Sequence, residues 1–147
     1  MFEELSVYLF VFSVSFLAAT IIPLGSESAV GYYIFKDYNI LVIVLVASVG
    51  NYLGSLTNYY VGYWGEKTIL SRYIKPEKKK MKEAKAYFDK YGVPILFFSW
   101  VPIVGDALTI FAGVVRSDLK KFTFFVFAGK LARYIVLAVL IKSATIG

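Results

Sequence analysis

The sequence predicts an all-α integral membrane protein, an inverted repeat in which each half is a re-entrant helical hairpin followed by one transmembrane helix. Hydrophobic residues make up 59% of the 147 residues, above the roughly 45–50% of soluble domains. These residues form four apolar blocks, and two of the blocks are long enough to cross a bilayer. Unusual residues inside the blocks recur at one fixed spacing. A chain of this length fits a single membrane domain, residues 1–147.

The first block runs from about Leu5 to Ile22 and ends at Pro23, Gly25 and Glu27. Proline and glycine interrupt helices, and a second apolar arm, Ser28 to Phe35, follows them. We therefore predict a hairpin that enters and leaves the bilayer on the same face. A full span up to Ile22 is the alternative, because the first arm is the longer one.

The second block, Ile40 to about Trp64, predicts a complete transmembrane helix, since roughly 20 residues cross the hydrocarbon layer. It contains Gly50 and Gly54, a four-residue spacing that favours close helix packing in membranes. Asn51 stands beside Gly50, and we expect its side chain to line a polar cavity.

The third block, Val93 to Val115, is broken at its centre by Pro102, Gly105 and Asp106. The arm Val93 to Val101 would cover only about 14 Å as an α-helix, or half of a bilayer. Because the polar break lies where a span would be most apolar, the block predicts a second hairpin.

The fourth block, Phe122 to Ile146, is long enough to span the membrane and carries two cations, Lys130 and Arg133. They are three positions apart and so share one helix face. A charge at membrane depth is costly unless it is paired or hydrated, which makes it a functional candidate. We expect the cations to pair with Glu27 or Asp106. The alternative is that such pairs only hold the helices together.

The segment between the halves is basic, because residues 66–90 hold nine Lys or Arg against four acids. Pro76 suits the first position of a helix and Gly92 suits its end, so we predict a connecting helix over about residues 76–91. Its apolar stripe consists of Met81, Ala84, Phe88 and Tyr91. We expect this amphipathic helix to lie on an anionic membrane surface; a solvated helix is the alternative.

A shift of the sequence by 79 residues aligns its rare features. The shift pairs Pro23 with Pro102, Glu27 with Asp106, Gly50 with Gly129, and Asn51 with Lys130. Repeat one then covers about residues 5–65 and repeat two about residues 92–147. A hairpin returns the chain to its starting face and a span moves it across, so the two repeats are predicted to be inverted, as in many transporters. Both hairpin tips would meet near the midplane.

The charges agree with this topology. With residues 66–90 inside the cell, the second hairpin also returns Arg116, Lys120 and Lys121 to the inside. Twelve of the sixteen Lys and Arg then lie on the cytoplasmic side, as the positive-inside rule requires. We predict a multi-pass protein of the cell (inner) membrane, with the N-terminus outside or, if the first block spans fully, inside. Lys-rich runs between apolar blocks favour loops over a nucleic-acid interface. Small two-repeat units often dimerise, and a homodimer is an open alternative.

The composition predicts that the chain is not an enzyme. The chain has no Cys and no His, which excludes thiolate chemistry, the commonest metal ligands and the usual general base near neutral pH. It also has no glycine-rich phosphate loop. We expect no catalytic residue, no cofactor and no metal.

The second half contains Ser99-Trp100-Val101-Pro102-Ile103-Val104-Gly105-Asp106, then Ala112-Gly113, then Gly129-Lys130-x-x-Arg133-Tyr134. The first half contains Ala18-Ala19-Thr20, then Pro23-x-x-x-Glu27, then Gly50-Asn51-x-x-Gly54. Together these motifs resemble the YqaA-like branch of the DedA family, also called SNARE-associated or VTT-domain proteins, over nearly the whole chain. The resemblance implies two facing re-entrant hairpins, with Glu27 as the hairpin acid. It also implies lipid translocation, of undecaprenyl phosphate in bacteria and of phospholipids in eukaryotes, in some members with proton dependence.

The sequence departs from that family at two positions. Many members carry arginines three residues before and after the second-hairpin proline, where this chain has Ser99 and Gly105. An anionic phosphate needs cations, so either Lys130 and Arg133 supply them or the substrate differs. Three functions stay open: a lipid translocase, a proton-coupled transporter of a small solute or ion, and a structural protein of membrane homeostasis. The expected partners are membrane lipids and protons.

Overall fold

The structure, a computed structural model, describes residues 1–20, 25–65, 86, 88–101 and 104–146. The α-helices in this part of the chain are α1 (Phe2–Ala18), α2 (Ser26–Phe35), α3 (Ile40–Gly65), α4 (Val104–Val114) and α5 (Leu119–Ile146). A π-helical turn (Phe88–Gly92) and a 3₁₀ helix (Val93–Trp100) precede α4. The described residues contain no strand. Pro23, Pro102 and most of the predicted connecting helix lie outside the described residues.

Two of these helices are long and apolar enough to cross a membrane. They are α3, with 26 residues, and α5, with 28, and an α-helix rises about 1.5 Å per residue across roughly 30 Å of hydrocarbon. By contrast, α2 has 10 residues and α4 has 11, so each covers only about 15–17 Å. The all-helical class is confirmed for the described residues, and the membrane-spanning lengths fall on the two blocks predicted to span.

The segment before α4 differs from the expected α-helical arm. The eight residues Val93–Trp100 form a 3₁₀ helix, which rises about 2 Å per residue and is uncommon at this length. The segment therefore covers about 16 Å, close to the depth predicted for an α-helical arm. Pro94 lies in its first turn, where the missing backbone N–H has no helical partner to lose.

The chain forms two compact units, the first made of Met1–Gly54 with Lys130–Gly147 and the second of Ser55–Gly129. The first unit has a core from α1, α2, the start of α3 and the end of α5. Its buried residues are Val7, Val11, Val30, Ile34, Ile43, Val44, Ala47, Tyr134 and Ala138. These side chains come from four helices, so this core fixes α2 against α1 and α5.

In the first unit, α1 and α3 approach through the two glycines of the GxxxG motif. A Cβ atom at Gly50 would lie 2.6 Å from the backbone oxygen of Phe12, and one at Gly54 would collide with the backbone oxygen of Phe16. Backbone atoms cannot rotate away as side chains do, so only glycine permits this approach.

In the second unit, α4 packs on the 3₁₀ helix and on the end of α3. A Cβ at Gly62 would collide with the backbone oxygen of Ile110, and a Cβ at Gly113 would collide with that of Tyr59. The Tyr59 hydroxyl donates a 2.7 Å hydrogen bond to the Ser117 backbone oxygen. The second unit therefore holds α3 and α4 together by reciprocal glycine contacts and a buried phenol.

Helices α2 and α4 end with the same backbone geometry. Asp37 has φ 62° and Arg116 has φ 55°, in the left-handed region that residues other than glycine rarely adopt. The following N–H bonds back to the fifth residue before it, as Tyr38 to Tyr33 at 3.2 Å and Ser117 to Ala112 at 2.9 Å. Both ends are Schellman motifs, and their equivalent positions are 79 residues apart, the spacing at which the rare sequence features align.

Helices α3 and α5 begin with equivalent N-caps, Asn39 and Asp118, which are again 79 residues apart. The Asn39 Oδ1 accepts a 3.3 Å hydrogen bond from the Val42 N–H. The Asp118 Oδ1 accepts from the N–H groups of Lys120 at 2.8 Å and Lys121 at 3.3 Å. These caps explain why α5 begins three residues before the predicted Phe122, since Asp and Asn satisfy the first N–H groups of a helix.

Acidification is expected to weaken the Asp118 cap. Hydrogen bonds from the backbone of Lys121 and Lys120 hold the pKa of Asp118 below its ordinary value of 3.8. Because the folded-state pKa is lowered, the stabilisation is complete above the unfolded-state pKa and is lost as the pH falls through the folded-state pKa. Asp118→Asn keeps the acceptor but does not titrate. In detergent, its Tm should fall less than that of the wild type between about pH 6 and about pH 2; equal falls would contradict the assignment.

Candidate functional site

The first unit brings together charged and polar residues at the start of α2. Gly25 is the N-cap of α2, with φ −75° and ψ 91°, and Glu27 lies in the first helical turn. The partial positive charge of a helix N-terminus favours a carboxylate at this position. The first turn of the short helix α2 therefore holds Glu27 at a defined position.

Arg133 on α5 pairs with Glu27 through its Nη2 and the carboxylate Oε1. The Arg133 side chain is 19% exposed and that of Glu27 is 39% exposed, so both groups reach the surface of the unit. Pairing lowers the cost of placing two charges within an apolar bundle. Partial exposure means that a competing anion or cation can also reach the pair.

A second contact lies directly beside this ion pair. The hydroxyl groups of Ser26 and Tyr134 share a 2.7 Å hydrogen bond, in which either oxygen can be the donor. Both residues are buried, and Tyr134 is completely so. The predicted motif that ends in Arg133-Tyr134 includes this tyrosine, but its hydrogen bond to Ser26 was not predicted.

Lys130 lies one helical turn before Tyr134 on α5 and is only 3% exposed. An amine on a flexible four-carbon chain can extend from such a position to a charged partner. Lys130 and Arg133 therefore provide two cations on the same stretch of α5 in the first unit.

Asn51 on α3 is also buried in the first unit. Its Nδ2 donates a 2.8 Å hydrogen bond to the backbone oxygen of Ser15 on α1. Its Oδ1 and the Ser15 Oγ have no hydrogen-bond partner among the described residues. A buried acceptor without a partner costs about 1–3 kcal/mol, so this point on α3 offers a polar atom that a donor would stabilise.

Three further predicted site residues, Gly105, Asp106 and Gly129, belong to the second unit. Asp106 lies in the first turn of α4 and is half-buried, and its backbone oxygen accepts a 2.8 Å hydrogen bond from the Thr109 hydroxyl. Gly105 lies against the backbone oxygen of Ser99, and Gly129 lies against that of Phe97. Both glycines are therefore in close backbone contacts.

The chemistry available at the first unit is ionic. Within the described ranges, no group of three or more Asp, Glu, His or Cys residues is arranged to hold a metal ion. The site offers a carboxylate on α2, two cations on α5 and, beside the ion pair, the neutral hydroxyl groups of Ser26 and Tyr134. Guanidinium and ammonium groups are well suited to binding phosphate.

Comparison with known proteins gives matches over most of the chain. The model of the VTT domain matches residues 22–143. The Escherichia coli inner membrane protein YqaA is 34% identical over 139 residues, which cover 94% of this chain and 92% of that protein. An uncharacterized protein of Haemophilus influenzae is 35% identical over 136 residues, covering 87% and 83%. Undecaprenyl phosphate transporter A of Bacillus subtilis is 28% identical over 112 residues, covering 72% and 57%. No solved structure matches.

Proposed function

Because the chain belongs to the VTT-domain family, we propose that it is a membrane transporter that moves a lipid with a phosphate headgroup, undecaprenyl phosphate or a phospholipid, across the cell membrane. The relatives support the class, since one is named an inner membrane protein and another an undecaprenyl phosphate transporter. The observation that carries the proposal is the partly exposed ion pair of Glu27 with Arg133.

The ion pair supports a substrate that carries negative charge. Arg133 is held by a carboxylate, and a phosphate is an anion that matches the planar guanidinium with two parallel hydrogen bonds. A phosphate that reaches Arg133 can therefore replace Glu27 with little change in local charge. Lys130, from the same stretch of α5, supplies the second cation that a doubly charged headgroup needs.

Two other polar residues of the first unit support a route for a headgroup and not for its tails. Asn51 and Ser15 contribute buried polar atoms, which a hydrated headgroup can contact while acyl chains remain in lipid. Displaced from Arg133, the Glu27 carboxylate either pairs with Lys130 or takes up a proton from water. The second course couples headgroup binding to proton uptake.

The membrane arrangement proposed here is an inverted pair of re-entrant hairpins, each followed by α3 or α5. Two observations support it. Helices α2 and α4 are each too short to cross the bilayer. The turn that joins α2 to α3 and the turn that joins α4 to α5 have equivalent backbone hydrogen bonds, 79 residues apart. Hairpins that end at mid-depth would carry Glu27 and Asp106 into the membrane interior, where a transport pathway must run.

Reconstitution of the purified protein tests the proposal. Liposomes would carry a polyprenyl phosphate in both leaflets, and an added phosphatase that cannot cross the bilayer would hydrolyse the outer pool. We expect the protein to expose the inner pool as well, so that hydrolysis passes half and approaches completion. Protein-free liposomes are the control, and fluorescent phospholipids tested in parallel identify the preferred headgroup.

A second assay separates the competing functions. Release of a trapped water-soluble dye or ion, with no movement of any phosphate lipid, would show a solute transporter. Inactivity in both assays, from a folded protein, would favour a structural role. Either result would contradict the lipid-transport proposal.

A further inference from the structure

Two adjacent contacts join α2 to α5, and they differ in kind. Ser26 and Glu27 are neighbours on α2, and Arg133 and Tyr134 are neighbours on α5. The Ser26–Tyr134 bond is neutral and buried, whereas the Glu27–Arg133 pair is charged and partly exposed. The ion pair is therefore open to the surface of the unit, and the hydroxyl pair is not.

The hydroxyl pair is held by its surroundings. Tyr134 is the largest of the fully buried side chains among the described residues and belongs to the core of the first unit. A buried hydroxyl that loses its partner is left without a hydrogen bond in an apolar core, which is unfavourable, so this bond resists opening. The ion pair can open at lower cost, because solvent or a competing ion compensates each charge.

We propose that Tyr134 is a positioning residue. Its hydroxyl group holds the first turn of α2 against α5 while Arg133 exchanges between Glu27 and the phosphate headgroup. This inference rests on the proposed function and deepens it. When a phosphate occupies Arg133, the carboxylate of Glu27 has lost its cation, and the neighbouring hydroxyl bond keeps it within reach. Glu27 then takes Arg133 back, and the headgroup is released.

The substitution Tyr134→Phe tests this role, because it removes the hydroxyl and keeps the ring that packs in the core. We expect the maximal rate of phosphate-lipid movement to fall about tenfold, with KM equal to or below that of the wild type. Binding depends on the cations, which remain, whereas release depends on recapture by Glu27. Ser26→Ala removes the same bond from α2 and should give the same pattern.

Tyr59→Phe is the matched control. Tyr59 is also a buried tyrosine, and its hydroxyl donates a 2.7 Å bond to the Ser117 backbone oxygen, within the second unit. We expect it to lower Tm about as much as Tyr134→Phe does and to leave the maximal rate near that of the wild type. Equal losses of rate in the two variants would overturn the proposal. A raised KM at an unchanged maximal rate would also overturn it, because Tyr134 would then contact the headgroup itself.

A thermodynamic cycle in detergent tests the same inference without any substrate. Glu27→Gln and Tyr134→Phe would be combined, and Tm measured for the four proteins. If the hydroxyl positions the ion pair, the loss of Tm from Glu27→Gln becomes smaller when Tyr134 is already phenylalanine. Additive losses would overturn the positioning role. A wild type that moves no lipid would defeat the proposed function alone, and the cycle would still decide this inference.

Discussion

Replacement of both cations, Lys130→Ala with Arg133→Ala, is expected to abolish the movement of phosphate lipid in vesicles. Each charged hydrogen bond to a phosphate contributes about 1.5–3 kcal/mol, so the loss of either cation should slow transport about 10–100-fold. The loss of both leaves only Asn51 and the hydroxyl groups to contact the headgroup. The measurement is the initial rate of hydrolysis of the inner pool, with Tm in detergent recorded for each variant.

An exchange of charges, Glu27→Arg with Arg133→Glu, separates binding from scaffolding. The exchange keeps opposite charges at the contact that now joins α2 to α5. If the pair only holds the helices together, the exchanged protein should recover both Tm and transport relative to Arg133→Ala. If Arg133 binds the phosphate, Tm should recover but transport should not, because a glutamate then occupies α5. Wild-type transport by the double alanine variant would contradict the mechanism outright.

The charged residues of this site could be predicted from the sequence. Glu27 and Arg133 stand out because an ionised side chain within an apolar block is costly and needs a reason. Their pairing was one of the combinations expected, and the structure joins these two. Which acid meets which cation depends on how α2 packs against α5, and no local pattern encodes that choice.

The hydrogen bond between Ser26 and Tyr134 was not predicted. Ser26 and Tyr134 are 108 positions apart, and neither residue type is unusual in an apolar helix. Serine and tyrosine hydroxyls find partners in many folds, so their presence does not indicate which partner they have. Their only sequence signal was adjacency to the conspicuous charges, Ser26 before Glu27 and Tyr134 after Arg133.

The turns after α2 and α4 show what the preference of a residue type for a backbone conformation can and cannot predict. Asp37 suits a left-handed position, because its short side chain is tolerated there, whereas Arg116 does not suit one. Nothing near Arg116 predicts its φ of 55°. Alignment of the chain on itself by 79 residues does predict it, since Arg116 falls on Asp37. The two long helices needed no such alignment, because a long apolar run is enough to indicate a transmembrane helix, although the Asp118 cap and not that run sets where α5 begins.

Replacement of Gly62 by alanine is expected to destabilise the second unit strongly. A Cβ there would collide with the backbone oxygen of Ile110, and a helix backbone can yield only if α3 and α4 separate. Overpacking of this kind costs about 1–3 kcal/mol. Gly65→Ala is the matched control on the same helix, since a Cβ at Gly65 meets no atom of the described residues within 4 Å, and its Tm should equal or exceed that of the wild type.

Gly113→Ala approaches the same interface from the other side, because a Cβ at Gly113 would collide with the backbone oxygen of Tyr59. It should lower Tm as Gly62→Ala does. Combined with Gly62→Ala it should cost less than the sum of the two losses, because the first substitution has already separated the helices. Thermal unfolding in detergent gives the Tm of the wild type, of the two single variants and of the double variant. A Gly62→Ala variant with the Tm of Gly65→Ala would mean that α3 and α4 do not meet backbone to backbone, and strict additivity would mean that the two glycines lie in separate contacts.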